Sequence, residues 1–395
     1  MTTGSVEAEV REVVAVLCVG ERPSASDSER QVAEWVARRL ADHGCEVTLE
    51  EEHAHGTYWW PMGLSCALGI AGGLAAVAGR RRLGALLGVA GAAALFDDVD
   101  SGLRPLRRLL PRRTTTNVLG WTGDRTAARV VVVMAHHDAP HTGLFFSLSD
   151  RFQHWLAERR PDLIESTESA VPVYWVIASG PLLAALGAAA GRRGMALTGA
   201  LLSAVGAAAF AQIGSSPVSP AANDDASGVA GLVAVARALN ERPVSGVRVL
   251  LLSAGAEESF QEGIRGFARR HFPNLPTAST WVVNLETIGS PHLTLLEGEG
   301  PVVMRDYEPA FKEQVAAVAS REGIKLGRGL RARTTTDSIV TGKAGYPTAT
   351  LVSLDDAKAL AHYHQLTDTP ERLDYDTVLD AARLTEAVIR DLAES

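Results

Sequence analysis

The sequence predicts a three-layer α/β/α sandwich with a mixed, mainly parallel sheet, from which apolar helical hairpins project. Three observations point there. Arg129–Ala135, Val247–Ser253 and Trp281–Glu286 are short, mostly apolar runs rich in β-branched residues, the pattern of strands buried on both faces. Helical patterns intervene between them. Each run ends beside His, Asp or Glu, and open α/β sheets place their ligands at the carboxyl ends of strands.

The other elements follow in chain order. Val6–Cys18 reads as an amphipathic helix. Ser26-Asp-Ser-Glu29 is a capping box for a second helix, from about Glu29 to His43, with Val32, Val36 and Leu40 on one face. Gly44 ends it, and Cys45–Glu51 alternates as a strand. Asn223-Asp224-Asp225-Ala-Ser-Gly228 precedes a helix over Val229–Leu239, and a last helix starts near Tyr375.

Five clusters carry chemistry. His136 and Asp138 follow the first strand. Residues two apart in an extended segment point the same way, so Asp138 is placed to fix the tautomer of His136. Asn223-Asp224-Asp225 sits before a helix, where a capping turn and a buried bridging carboxylate are both reasonable readings. Glu257-Glu258 lies just past the second strand, which suits a metal ligand (Glu258) beside a free base (Glu257). Glu286 ends the third strand. In His362-Tyr-His364-Gln-Leu-Thr-Asp368-Thr-Pro370, His364 is the better ligand because Asp368 follows closely enough to orient it; His362 reads as a neighbour. Together these supply imidazoles and carboxylates for two zinc sites, one carboxylate to bridge them, and a separate base.

As an ordered set, His-x-Asp, Asn-Asp-x-x-Ser-Gly, Glu-Glu-x-x-x-x-Gly, Asn-x-(acid)-x-x-Gly and Tyr-His-x-x-x-Asp-Thr resembles the M28 zinc aminopeptidases. The resemblance covers roughly residues 5–57, 114–138 and 222–395. It implies one zinc held by His136, Asp224 and Glu286, the other by Asp224, Glu258 and His364, with Glu257 as general base. It also implies a peptide substrate hydrolysed from its N-terminus by metal-activated water. Asp337, in Thr334-Thr-Thr-Asp337-Ser-Ile, matches a further family aspartate and is a candidate substrate contact. Glu286 stands where the family often has Asp, and Gly263 comes later after the Glu-Glu pair than is usual. Carboxylate-rich sites of this kind also accept manganese or cobalt.

Composition bounds the alternatives. A net charge of −8 argues against a nucleic-acid partner. No glycine-rich phosphate loop stands out, and Cys18, Cys45 and Cys66 form no paired framework. Oligomeric state is open. Two other functions on the same fold are a single-zinc glutaminyl cyclase-like acyltransferase and an inactive membrane receptor or scaffold. His136 with Glu286 weighs against the first, and the complete ligand set with Glu257 against the second.

Two insertions interrupt the catalytic segments: 58–113, and 139–221 with a loop before its hairpin. Trp59–Gly79, Val171–Gly191 and Met195–Gly214 are uncharged and of membrane-spanning length, while Leu83–Phe96 is short. Gly69-x-x-x-Gly73, Gly84-x-x-x-Gly88 and Gly187-x-x-x-Gly191 offer small faces for close helix contact, and Trp59, Trp60, Tyr174 and Trp175 suit an interface. Two hairpins in contact with membrane lipid make a multi-pass anchor and leave every catalytic residue on one side. Arginine counting gives seven on that side (104, 107, 108, 112, 113, 159, 160) against five at the hairpin turns (80, 81, 82, 192, 193). The acidic N-terminus lacks a signal peptide's basic region, so the expected catalytic face is cytoplasmic. The loop 139–170, with His141, Phe145, Phe146, Phe152, His154 and Trp155, is expected to roof the site and favour short peptides; His53 and His55 read as surface or interface residues.

Overall fold

The computed structural model describes residues 3–169 and 171–394. Helices α1 (Thr3–Leu17) and α2 (Asp27–Asp42) lead into strand β1 (Glu46–Ala54). Ser26 caps α2, its Oγ accepting the Glu29 amide at 3.1 Å. The Glu29 side chain turns away from that cap. It is buried, and its Oε1 accepts from Thr115 Oγ1 at 2.6 Å and from the Ala256 amide at 2.7 Å. These tertiary partners outcompete the local capping box.

The first insertion forms α3 (Trp59–Val77) and α4 (Arg81–Val99), after which β2 (Arg113–Gly123) and β3 (Val130–His136) resume the domain. The expected loop at 139–170 is largely helical: α5 (Leu144–Arg159) and the short α6 (Pro161–Glu165) precede α7 (Val173–Ala189) and α8 (Arg193–Gly214). The chain continues through α9 (Ser227–Glu241), β4 (Arg248–Ala254), α10 (Glu262–His271), β5 (Thr280–Leu285), β6 (His292–Leu295), β7 (Gly298–Glu299), β8 (Arg305–Asp306), α11 (Pro309–Arg321), β9 (Arg331–Ala332), α12 (Ser338–Lys343), β10 (Thr348–Leu354) and α13 (Tyr375–Glu394).

The main sheet has seven strands in the order β1-β2-β4-β3-β5-β10-β6. The central β4, β3, β5 and β10 are parallel, and the pairs β1–β2, β2–β4 and β10–β6 are antiparallel. The sheet is therefore mixed, with its parallel part in the middle. Alternation along β3 builds the two outer layers. Val131, Val133 and Ala135 join a core with α1, α2, α9, α11 and α13, whereas Val130, Val132 and Met134 pack with Ile264 and Phe267 of α10.

Helices α3, α4, α7 and α8 form a four-helix bundle whose interior is built from small residues near the hairpin turns and from Met62, Leu95, Phe210 and Ile213 at the other end. A Cβ added at Gly73 or Gly199 would meet the backbone of a facing helix, Ala196 or Ala184. Such contacts bring helix backbones close together. Other large apolar residues point outward: Leu74, Leu86, Val89, Val176, Leu186, Leu201 and Val205 are exposed. Among the described residues, two helices, Trp59–Val77 and Arg193–Gly214, are long and apolar enough to cross a membrane. The expectation of three is corrected at 171–191: α7 spans 17 residues, with Pro181 inside it. The short Leu83–Phe96 run lies within a 19-residue helix. Gly191 packs against the Arg81 guanidinium, so both hairpin turns lie at the same end of the bundle.

Candidate metal centre

The chain leaves β3 for β4 on one side and crosses to β5 on the other, with α9 and α10 on opposite faces. This reversal opens a crevice at the carboxyl ends of the central strands. His136 is the last residue of β3, Glu257 and Glu258 follow β4, and Glu286 follows β5. Asp224 precedes α9, and His364 lies in the loop after β10. All six are buried.

The structure brings them into two contiguous groups. His136 Nε2 lies 3.3 Å from Asp224 Oδ1 and 3.4 Å from Glu286 Oε1. His364 Nε2 lies 3.2 Å from Asp224 Oδ2 and 3.3 Å from Glu258 Oε2. Neither imidazole has a hydrogen-bond partner on either nitrogen among the described residues, and Asp224 Oδ2 has none. Donors bound to one tetrahedral zinc at ~2.0–2.1 Å sit about 3.3 Å apart. The residues present, imidazoles and carboxylates at that spacing, fit zinc, and His136, Asp224 and Glu258 are close enough to share one ion. Burial would raise the Asp224 pKa, but the facing His136 and His364 imidazoles hold it below the usual carboxylate range.

Asp225 is also close enough to join His136 and Glu286 around one ion. Its oxygens are already occupied: Oδ1 accepts the amides of Gly228 (3.0 Å) and Thr287 (2.9 Å), and Oδ2 that of His136 (3.2 Å). Asp225 thus ties α9 to the ends of β3 and β5, leaving Asp224 as the carboxylate that faces both groups.

The turn carrying Glu257 and Glu258 is held amide by amide. Gly255 N donates to Asn117 Oδ1 (3.1 Å) and Ala256 N to Glu29 (2.7 Å). Glu257 N and Glu258 N donate to the two oxygens of Asp138 (3.0 and 3.1 Å). Asp138 also accepts from Ser24 Oγ at 2.6 Å and lies 3.3 Å from His136 Nδ1. The Glu257 carboxylate belongs to neither donor group. Gln261 Nε2 donates to its Oε1 at 2.7 Å. Burial pushes the Glu257 pKa well up; His136 opposes this, and the charges of Glu286 and Asp337 add to it.

Of the remaining positions, Asp368 differs from the sequence expectation. Asp368 does not reach His364. It accepts the Asn223 and Asp224 amides at 2.8 and 3.1 Å, holding the segment that presents Asp224, and burial pushes its pKa to about 7. His362 contacts Thr367 rather than the metal groups. His137 turns to Ser253 Oγ at 2.9 Å, and burial lowers its pKa to about 4. His55 bonds Glu262, an interface role.

Asp337 is 1% exposed, and neither carboxylate oxygen has a hydrogen-bond partner among the described residues. It lies within electrostatic reach of His136, Glu286 and Glu299. Glu299 accepts the Thr336 amide at 2.9 Å, and burial pushes its pKa to about 8. The roof is aromatic. Phe146 of α5 packs 4.4 Å from the His364 ring, while Tyr58 and Tyr174, flanking the two hairpins, close on Phe260 at 4.9 and 6.1 Å. Sequence reasoning flagged Phe146 by position but missed Ser24, Glu29 and Gln261. Ser24 acts through a hydrogen bond to Asp138, Glu29 through bonds from Thr115 and Ala256, and Gln261 through bonds to Glu257 and Thr335, none of which leaves a periodic signal.

Peptidase family M28 matches residues 208–389. No curated protein matches the chain. Among solved structures, an aminopeptidase from Aneurinibacillus sp. strain AM-1 superposes with a TM-score of 0.55 at 14% identity, over 97% of this chain and 93% of that one. A zinc aminopeptidase from Bacillus subtilis gives 0.53 at 12% identity, over 98% and 94%. Fimbriiglobus ruber glutaminyl cyclase gives 0.54 at 13% identity, over 97% and 94%. The chain thus shares the α/β fold of these enzymes, and across residues 208–389 its sequence is similar to peptidase family M28.

Proposed function

We propose that this chain is a membrane-associated di-zinc aminopeptidase. The observation that carries the reading is the shared carboxylate: Asp224 turns one oxygen to the His136 group and the other to the His364 group. In this reading His136, Asp224 and Glu286 hold one ion, and Asp224, Glu258 and His364 the other. Bound zinc supplies Lewis acidity and lowers the pKa of a coordinated water. Glu257 takes the proton of the attacking water and returns it to the leaving amine. Asp138 holds the His136 ring and the Glu257–Glu258 amides in register.

Asp337 favours action at the amino end of a peptide. A buried carboxylate with two unpartnered oxygens calls for a cation, and the substrate's α-ammonium is one. The buried guanidinium groups of Arg22, Arg104 and Arg107 are already committed to carbonyls or carboxylates, so none is offered to a C-terminal carboxylate. Phe146 above His364 supports a roof that limits substrate size.

Membrane association rests on the packing of the bundle toward its hairpin turns, with glycine and alanine between the helices and Leu and Val exposed outside. Lipid is the solvent in which that arrangement is stable. Helix α5 continues the apolar surface with exposed Leu144, Phe145, Leu148, Phe152 and Trp155. The peptidase domain is then 1–57, 114–138 and 222–395, with insertions 58–113 and 139–221, and the reading puts it on the cytoplasmic face, toward which the seven-to-five arginine balance leans only slightly. Labelling of engineered cysteines on the catalytic domain from outside intact cells overturns that orientation.

The decisive test is zinc stoichiometry on detergent-purified protein beside leucine-anilide hydrolysis with and without chelator. Two zincs and chelator-sensitive turnover support the reading. The fold shared with a glutaminyl cyclase sustains a second one: a single zinc, cyclisation of an N-terminal glutamine and no anilide hydrolysis would select it.

A further inference from the structure

The turn Gly255–Glu262 carries both Glu257 and Glu258, and its two halves are held by different parts of the chain. The first half hangs from Asn117, Glu29 and Asp138 of the peptidase domain. The second half bends through two consecutive non-glycine residues in the left-handed region, Phe260 (φ 65°) and Gln261 (φ 59°). Side chains disfavour that conformation, so it persists where surrounding contacts impose it.

Those contacts come from the inserted segment 58–113 and its flanks. Arg104 Nη1 donates to the Phe260 carbonyl at 2.6 Å, while its Nε is steadied by the Asp98 carbonyl at 3.1 Å. Arg107 bridges from Asp98 (Nη2 to Oδ1, 2.8 Å) to Glu262 (Nη1 to Oε1, 3.0 Å). Glu262 also accepts the amides of His55 (2.7 Å) and Gly56 (3.0 Å), at the entry to α3. Arg265 reaches back to the Gly102 carbonyl at 2.9 Å. Both arginines are almost wholly buried. The stretch fixed in this way presents Gln261, whose Nε2 reaches Glu257 Oε1 at 2.7 Å and Thr335 Oγ1 at 3.0 Å.

We propose that Arg104 and Arg107, at the foot of the inserted bundle, are positioning residues for Glu257. They act through Phe260, Glu262 and Gln261 to hold the base's carboxylate in its working orientation. The bundle is then a structural part of the catalytic apparatus as well as an anchor. This rests on the assignment of Glu257 as base.

The test uses the full chain in detergent, with Arg104→Met, Arg104→Lys and Gln261→Leu. Misplacing a reacting group by about 1 Å costs on the order of 100-fold. Arg104→Met and Gln261→Leu are expected to lower kcat by about that factor while KM stays within about threefold. Zinc content should be unchanged, and Arg104→Lys, which restores a donor, should recover most of the loss. Hydrogen exchange of the 255–262 amides should quicken in Arg104→Met with the bundle helices unaffected. Unchanged kcat in both variants overturns the proposal. So does a loss that tracks zinc content, or one that Arg104→Lys fails to relieve. If wild type binds zinc and hydrolyses no peptide, the peptidase reading fails. The exchange rates then still decide whether Arg104 holds the turn.

Discussion

Replacing Asp138 by Asn tests the proposed centre at one atom pair. The Asp138 carboxylate accepts Ser24 Oγ and Glu258 N on Oδ2 and Glu257 N on Oδ1, with His136 Nδ1 3.3 Å from Oδ1. Asparagine keeps the shape but turns one oxygen into a donor. If the amide nitrogen takes the Oδ1 place, it faces both Glu257 N–H and the His136 ring. If it takes the Oδ2 place, it faces Glu258 N–H, while Ser24 rotates to accept. The second orientation is cheaper, and it still orphans one buried amide and removes the negative charge. A hydrogen bond to a charged group contributes about 1.5–3 kcal/mol, and an orphaned buried donor costs about 1–3 kcal/mol, so a loss of about 2–4 kcal/mol is expected. Without the anionic partner, His136 should hold metal about 10–100-fold less tightly. Chelator-competition titration and denaturant unfolding, run side by side with anilide kinetics, read all three effects. Zinc affinity and kcat both within a factor of about three of wild type would refute the role given to Asp138.

Further outcomes are expected. Glu257→Gln should keep its zinc and lose about 10²–10⁴-fold in kcat; near-native turnover would remove it as base. Asp337→Asn should lower kcat/KM for substrates with a free amino terminus and leave N-acetylated analogues unaffected; equal effects on both would refute ammonium binding. Gly199→Leu should disrupt the bundle, because a Cβ there already meets Ala184 of the facing helix, and loss of monodisperse protein in detergent reports it. Glu262 has its pKa held at about 2: burial would raise it, but Arg107 and the His55 and Ser259 hydrogen bonds more than offset this. A lowered folded-state pKa gives stability that is present above about 4.5 and lost as pH falls toward about 2, here about 3 kcal/mol. Denaturant unfolding of zinc-free protein across that window should show this limb in wild type and not in Glu262→Gln.

The apolar runs at 129–135, 247–253 and 281–286 determined the buried strands from the sequence alone, since a strand covered on both faces has little choice of side chain. The position of chemistry at their carboxyl ends was legible for the same reason: the strand ends and the first polar residues meet there. His136, Glu257, Glu258 and Glu286 were therefore candidates without coordinates, while the choice of Asp224 and the grouping with His364 around two ions came from the resemblance to the M28 zinc aminopeptidases. The residues by themselves did not supply that grouping. That Asp224 faces both histidines while Asp225 is occupied by three amides depends on which oxygens the folded backbone leaves free, and both residues look alike in sequence. The capping signal at Ser26–Glu29 was half right, because a local hydrogen bond competes on equal terms with a buried tertiary one and lost to Ala256. Asp368 was misread for a similar reason, its neighbour in space being the Asp224 segment rather than His364. The weld between Arg104, Arg107 and the turn at 260–262 joins residues more than 150 positions apart. Only the tertiary structure decides a contact of that kind, because no propensity or periodicity spans such a distance and the energy that fixes it is burial of the charges together.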